Sequence, residues 1–108
     1  MTQDRLTLGR QGEDAAAHYL QRKGMKVLER NMNALVGEID LVVRDKHFIV
    51  FVEVKTRRGV AFGSPAEAVG PRKQRQIIRA AKWYLNDSTY KKLQPRFDVI
   101  AIIVHGDD

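Results

Sequence analysis

The chain reads as an α/β fold, one small mixed β-sheet flanked by helices, and three observations point there. Two segments carry apolar residues at helical spacing. Three runs are dense in β-branched and aromatic residues: Glu38–Arg44, Phe48–Lys55 and Arg96–Val104. The second helical segment lies between the last two of these runs, the order of a parallel crossover.

The first helix is expected over Leu8–Lys23, with Leu8, Ala15, Ala16, Tyr19 and Leu20 on one face and Gly24 as its stop. Met25–Met32 follows as a short strand with a weak pattern, and Asn33–Gly37 as a turn. Glu38–Arg44 and Phe48–Lys55, joined by the polar Asp45-Lys46-His47, form an antiparallel hairpin. Thr56–Gly70, with Gly59, Gly63, Pro65 and Gly70, reads mostly as loop, with room for one helical turn near Pro65–Val69. A second helix opens at Pro71, a favoured first-turn residue, and runs to about Leu85 on a stripe of Ile77, Ile78, Ala81, Tyr84 and Leu85. Arg96–Val104, apolar almost throughout, is expected to be a strand flanked on both sides. The element order is α-β-β-β-α-β.

At 108 residues the chain is expected to be a single domain, with no repeat, low-complexity tract or linker. It contains no cysteine, which excludes disulfides, thiolate zinc sites and cysteine nucleophiles. No apolar run approaches the roughly 20 residues that cross a bilayer, so no membrane partner is expected. The N-terminus carries acids and lacks an apolar core, unlike a secretory signal, and a cytoplasmic protein is expected. The formal net charge of +6 is unevenly placed. Eleven basic residues and two acids fall between Lys55 and Arg96, whereas the remainder holds eight basic residues and eleven acids. A basic region beside an acidic one suggests a polyanionic partner together with chemistry that uses carboxylates; a basic solvated surface would also fit.

The acids sit in telling places. Side chains two apart in a strand share a face, so Ile49, Phe51, Glu53 and Lys55 form one row and Phe48, Val50, Val52 and Val54 the other. Glu53 and Lys55 thus continue an apolar row. Asp40 interrupts an apolar run between Ile39 and Leu41. Where a hairpin's first strand begins, its second strand ends, so Asp40 and Glu53 become cross-strand neighbours with Lys55 close by. Two carboxylates held together repel, and a divalent cation relieves them. Mg²⁺, or Mn²⁺ in its place, takes one or two carboxylates plus phosphate oxygens. A neighbouring lysine pairs with the acids or orients a water for attack on phosphorus. The plainer alternative is a salt bridge of Lys55 with Glu53 or Asp40 at the sheet's edge.

The spacing from Asp40 to Glu53-Val54-Lys55 resembles the PD-(D/E)XK phosphodiesterase superfamily, whose restriction-endonuclease-like core has the αβββαβ order read above. The string GEIDLVV…FVEVKTR…FGSPAEAV…PRK…AAKWYL…RFDV is more closely similar to the YraN-like family of uncharacterised bacterial proteins, which resembles Holliday-junction-resolvase-type endonucleases. The likeness runs from Gly9 to Val99. It implies that Asp40 and Glu53 bind metal, that the Val54 backbone carbonyl assists, and that Lys55 is the motif lysine. Glu13 matches an N-terminal acid that in related nucleases reaches the site as a ligand or water acceptor; by itself it equally suits an early helical turn. Ile39 stands where the motif's nominal proline would be.

On the second helix Arg72, Arg75, Arg79 and Lys82 form a stripe opposite the apolar one, spaced to meet phosphates or simply solvated. Gln74 projects toward the core side, where it can contact a scissile phosphate or the lysine, or else cap a neighbouring backbone; Lys73, nearer the flank, can serve the same end or join the phosphate contacts. Arg57 and Arg58 border any cleft at the end of the motif strand. Trp83, Tyr84 and Tyr90 can stack on bases, although helix spacing favours a core position for Tyr84. His18, His47 and His105 show no ligand spacing. The expected function is a Mg²⁺-dependent endonuclease acting on branched or structured DNA, as a homodimer if it makes paired cuts. The alternative is a non-catalytic nucleic-acid-binding module, or a partner subunit in DNA recombination or uptake.

Overall fold

In the computed structural model, which describes residues 2–59, 69–86 and 88–105, the order is α1 (Thr2–Arg22), β1 (Lys26–Ala34), β2 (Gly37–Asp45), β3 (Phe48–Arg58), α2 (Pro71–Asn86) and β4 (Gln94–Val104). The four strands make one mixed sheet in the order β1-β2-β3-β4. The first three form an antiparallel meander, and β4 lies parallel to β3 after the α2 crossover. This is the expected α/β architecture, compatible with a restriction-endonuclease-like αβββαβ core. No helix among the described residues is long and apolar enough to cross a membrane.

Local chemistry explains the boundaries. Gly24, at φ 88°, ends α1 as predicted: its N–H donates to the Gln21 carbonyl at 2.9 Å and the Met25 N–H to that of Leu20 at 3.1 Å. These two bonds satisfy carbonyls that the helix end leaves open. α1 starts six residues before the expected Leu8. β1 and β2 are joined by the two residues Leu35 and Val36, between the paired Ala34 and Gly37.

The sheet is covered on both faces. Leu41, Val43, Val50 and Val52 pack with Ala16, Ala17 and Leu20 of α1. Met32, Ile39, Val42, Ile49 and Phe51 pack with Ile77, Ala80 and Ala81 of α2. The predicted alternation along β3 therefore holds, with Ile49 and Phe51 on one side and Val50 and Val52 on the other.

Some local expectations change. Thr56, Arg57 and Arg58 are strand, not loop, because parallel pairing with Ile102, Ile103 and Val104 carries β3 onward. The helical turn expected near Pro65–Val69 lies, except for Val69, outside the described residues. β4 has a neighbour on one side only, so Phe97 and Ile103 are exposed despite its apolar composition. Tyr19 and Ala15 of α1 face solvent, and Ala17 is buried in their place, because the helix presents its Gly12–Ala16–Leu20 side to the sheet. Ile78 of α2 is likewise exposed while Ala80 is fully buried, since α2 leans over β1 and β2 and away from β4.

Candidate active site

The site forms where β2 and β3 part. Their register runs from Asp45–Phe48 to Leu41–Val52 and goes no further, since β2 continues against β1 and β3 against β4. At the fork the Asp40 side chain replaces the missing ladder carbonyl: its Oδ2 accepts the Val54 N–H at 2.7 Å. A charge-assisted bond of this kind anchors the carboxylate and satisfies an N–H that the opened ladder would strand.

Glu53, on the partner strand, is buried, with 7% of its surface exposed. Its Oε2 has no hydrogen-bond partner among the described residues, although Lys73 Nζ stands 3.4 Å away. Burial, then the hydrogen bond and charge of Asp40, push its carboxyl up from the ordinary 4.5 to about 7, while Lys73 and Lys55 pull the other way. Two acids in a low-dielectric fork cannot both hold their charge cheaply, and the Glu53 carboxyl is raised accordingly.

α1 brings the third acid. Gly12 packs so closely on β3 that a Cβ there would run into the Thr56 side chain, and this lets the next residue, Glu13, reach the fork. Burial raises the Glu13 carboxyl; a hydrogen bond from Asn31 opposes this, and the charge of Asp40 adds to it. Asp14 pairs with Arg30 of β1 at 2.6 Å and ties the helix down beside the site. A cleft results, lined by Leu8, Gly9, Glu13, Asp40, Val54, Lys55 and Thr56.

Glu53 itself lines a different, mainly apolar cavity of about 300 Å³, together with Phe51, Val69, Gln74, Ile77, Ile78, Phe97, Asp98 and Val99. Gln74 lines this cavity too but is exposed and not turned into the core as expected; its Nε2 donates to the Val69 carbonyl at 2.7 Å and caps that backbone.

The structure thus places Glu13, Asp40, Val54 and Lys55 along one cleft. Glu53 lines the apolar cavity instead, together with Gln74, and reaches Asp40 and Lys55 through their charges. Lys73, grouped by sequence chiefly with the phosphate contacts, turns to Glu53. Its place in the first turn of α2, next to Gln74, was the available signal. Asn31, the Glu13 partner, carried none: it sits at φ 52° in a strand whose pattern was weak. Arg57 and Arg58 end β3, exposed and beyond the cleft. Arg72, Arg75 and Arg79 line a separate groove with Gln76 and Val36, and Lys82 is exposed further along α2.

Among the described residues no group of three or more His, Cys, Asp or Glu side chains is gathered tightly enough to hold a metal. Asp40 and Glu53 are the acids that interact directly, and Glu13, expected as a further ligand, stands beside Asp40 in the cleft without completing a three-acid group. The pair, one member carrying an orphaned buried oxygen, suits a hard cation that keeps most of its waters, as Mg²⁺ does.

Residues 12–102 match the profile of the uncharacterised protein family UPF0102. The chain is similar to a UPF0102 protein of Syntrophotalea carbinolica, with 60% identity over the whole chain and 88% of that relative. It is 48% identical to one of Caldanaerobacter subterraneus subsp. tengcongensis, covering 94% of this chain and 83% of the other. It is 50% identical to one of Rhodococcus jostii, covering 94% and 86%.

Proposed function

The chain belongs to the uncharacterised protein family UPF0102, and from that premise we propose that it is a metal-dependent endonuclease hydrolysing phosphodiester bonds in branched or structured DNA. One observation carries the reading: two carboxylates share a fork in the sheet, and the buried one, Glu53, is pushed up to about 7 with an oxygen that has no hydrogen-bond partner among the described residues and stands 3.4 Å from Lys73 Nζ. A divalent ion bound there supplies Lewis-acid stabilisation of charge on the phosphoryl oxygens. Asp40 and Glu53 hold it, with Glu13 close enough to accept a proton from or orient a water. Lys55 orients the attacking water and offsets the negative charge that accumulates at phosphorus. Hydrolysis breaks the P–O3′ bond and leaves a 5′-phosphate and a 3′-hydroxyl. Paired cuts in a four-way junction call for two copies of the chain.

Calorimetry with Mg²⁺ or Mn²⁺ tests the first step: wild type binds, and Asp40→Asn and Glu53→Gln lose binding. Cleavage of flap, single-stranded and four-way substrates then requires Lys55. Equal metal binding by all three proteins refutes the assignment. A second reading, a nucleic-acid-binding module without catalysis, draws on the lack of a three-residue metal set among the described residues. Tight DNA binding with no cleavage of any substrate by either ion selects it.

A further inference from the structure

The turn between β1 and β2 is made of two apolar residues where polar ones are the rule. Leu35 is 93% exposed and Val36 39%. The tip does not hang free of the body. Gly37, at its base, lies against α2 so closely that a Cβ would come within 2.6 Å of Gln76 Cγ. This contact sets the tip beside the groove in which Val36 and Gln76 meet Arg72, Arg75 and Arg79. Among the described residues no acid lines that groove.

The geometry points to an apolar wedge with a guanidinium collar: Leu35, backed by Val36, enters an opened base step at a DNA branch point while Arg72, Arg75 and Arg79 hold the flanking phosphates. The occupant follows from the chemistry. A narrow two-residue protrusion offers far less than the roughly 1,000 Å² that a stable protein interface needs. Three arginines require an anion with several charged groups around an apolar slot, and an unstacked base step between phosphates is such a slot. Branched DNA presents unstacked steps at the junction, where the unstacking cost of a few kcal/mol is already partly met. The inference rests on the reading that this chain acts on structured DNA, and it names the element that recognises the structure.

The test uses a four-way junction and a linear duplex, each carrying 2-aminopurine, which brightens on unstacking. Wild type brightens the probe at the branch and not in mid-arm. Leu35→Ser, which removes an exposed side chain and leaves the fold intact, abolishes the brightening and lowers junction affinity about tenfold, the equivalent of one unstacked contact. Its duplex affinity stays within about twofold, since sequence-blind phosphate contacts remain. Leu35→Phe restores the signal. Arg75→Ala with Arg79→Ala weakens both substrates and lowers the salt slope by about two. Equal brightening by Leu35→Ser, or equal loss on junction and duplex, overturns the wedge. So does a dimer that becomes monomeric on Leu35→Ser, which would assign the tip to self-association. If wild type binds neither DNA, the nucleic-acid reading falls and the wedge with it; binding without brightening overturns the wedge alone.

Discussion

Glu53→Gln should make this protein more stable at neutral pH while removing a residue from its candidate active site. In the folded chain the Glu53 carboxyl is pushed from 4.5 to about 7, chiefly by burial and then by Asp40. The folded state therefore keeps a proton that the unfolded state has already released. Stability rises with pH only where the unfolded state binds more protons; here the folded state does, so stability falls. The fall runs between about 4.5 and about 7, at roughly 1.4 kcal/mol per pH unit, and amounts to about 3 kcal/mol. Glutamine has the same shape, does not titrate, and leaves only the half-exposed Lys73 without its partner. Urea denaturation from about pH 5 to about pH 8 should show the variant overtaking wild type by a margin of that order as pH rises, with other titrating groups cancelling in the comparison. Mg²⁺ at tenfold its dissociation constant should return about 1.4 kcal/mol to wild type at the upper pH and less to the variant. Parallel pH curves for the two proteins, or a Gln variant that is weaker at about pH 8, would refute the reasoning.

Asp40→Asn keeps an acceptor for the Val54 N–H but removes the charge facing Glu53. The Glu53 midpoint, followed by carboxyl carbon NMR, should move back toward the ordinary range; an unmoved midpoint would leave burial as the sole cause. Gly12→Val drives a side chain into Thr56 and should cost about 1–3 kcal/mol in urea denaturation, because helix and strand cannot approach as closely. The same displacement should free Glu13 from the influence of Asp40, visible as a lowered Glu13 midpoint in the same NMR titration. Phe51, 1% exposed and stacked on Phe97 with Tyr84 edge-on, should cost about 3–5 kcal/mol as Phe51→Ala by the same denaturation assay. A cost under about 1 kcal/mol would mean that the cavity beside it collapses to fill the gap.

What was legible in the sequence is what covalent geometry imposes over a few residues. Period-two alternation put Glu53 in the row of Ile49 and Phe51, since neighbouring strand side chains must point to opposite faces. A glycine after a helical run supplied the φ of 88° that closes α1. Hairpin closure made Asp40 and Glu53 neighbours from their spacing alone. The placement of elements on one another was not legible, because it depends on surfaces far apart in the chain. Nothing local says that the apolar β4 is an edge strand. Nor does anything local tilt α2 over β1 and β2, so that Ile78 and Phe97 are exposed, Lys73 meets Glu53, and three arginines line a groove with Val36. The raised Glu53 carboxyl has the same origin. Proximity follows from the hairpin, but the burial that raises Glu53 arises only from the tertiary packing around β3, where Lys73 of α2 comes within 3.4 Å.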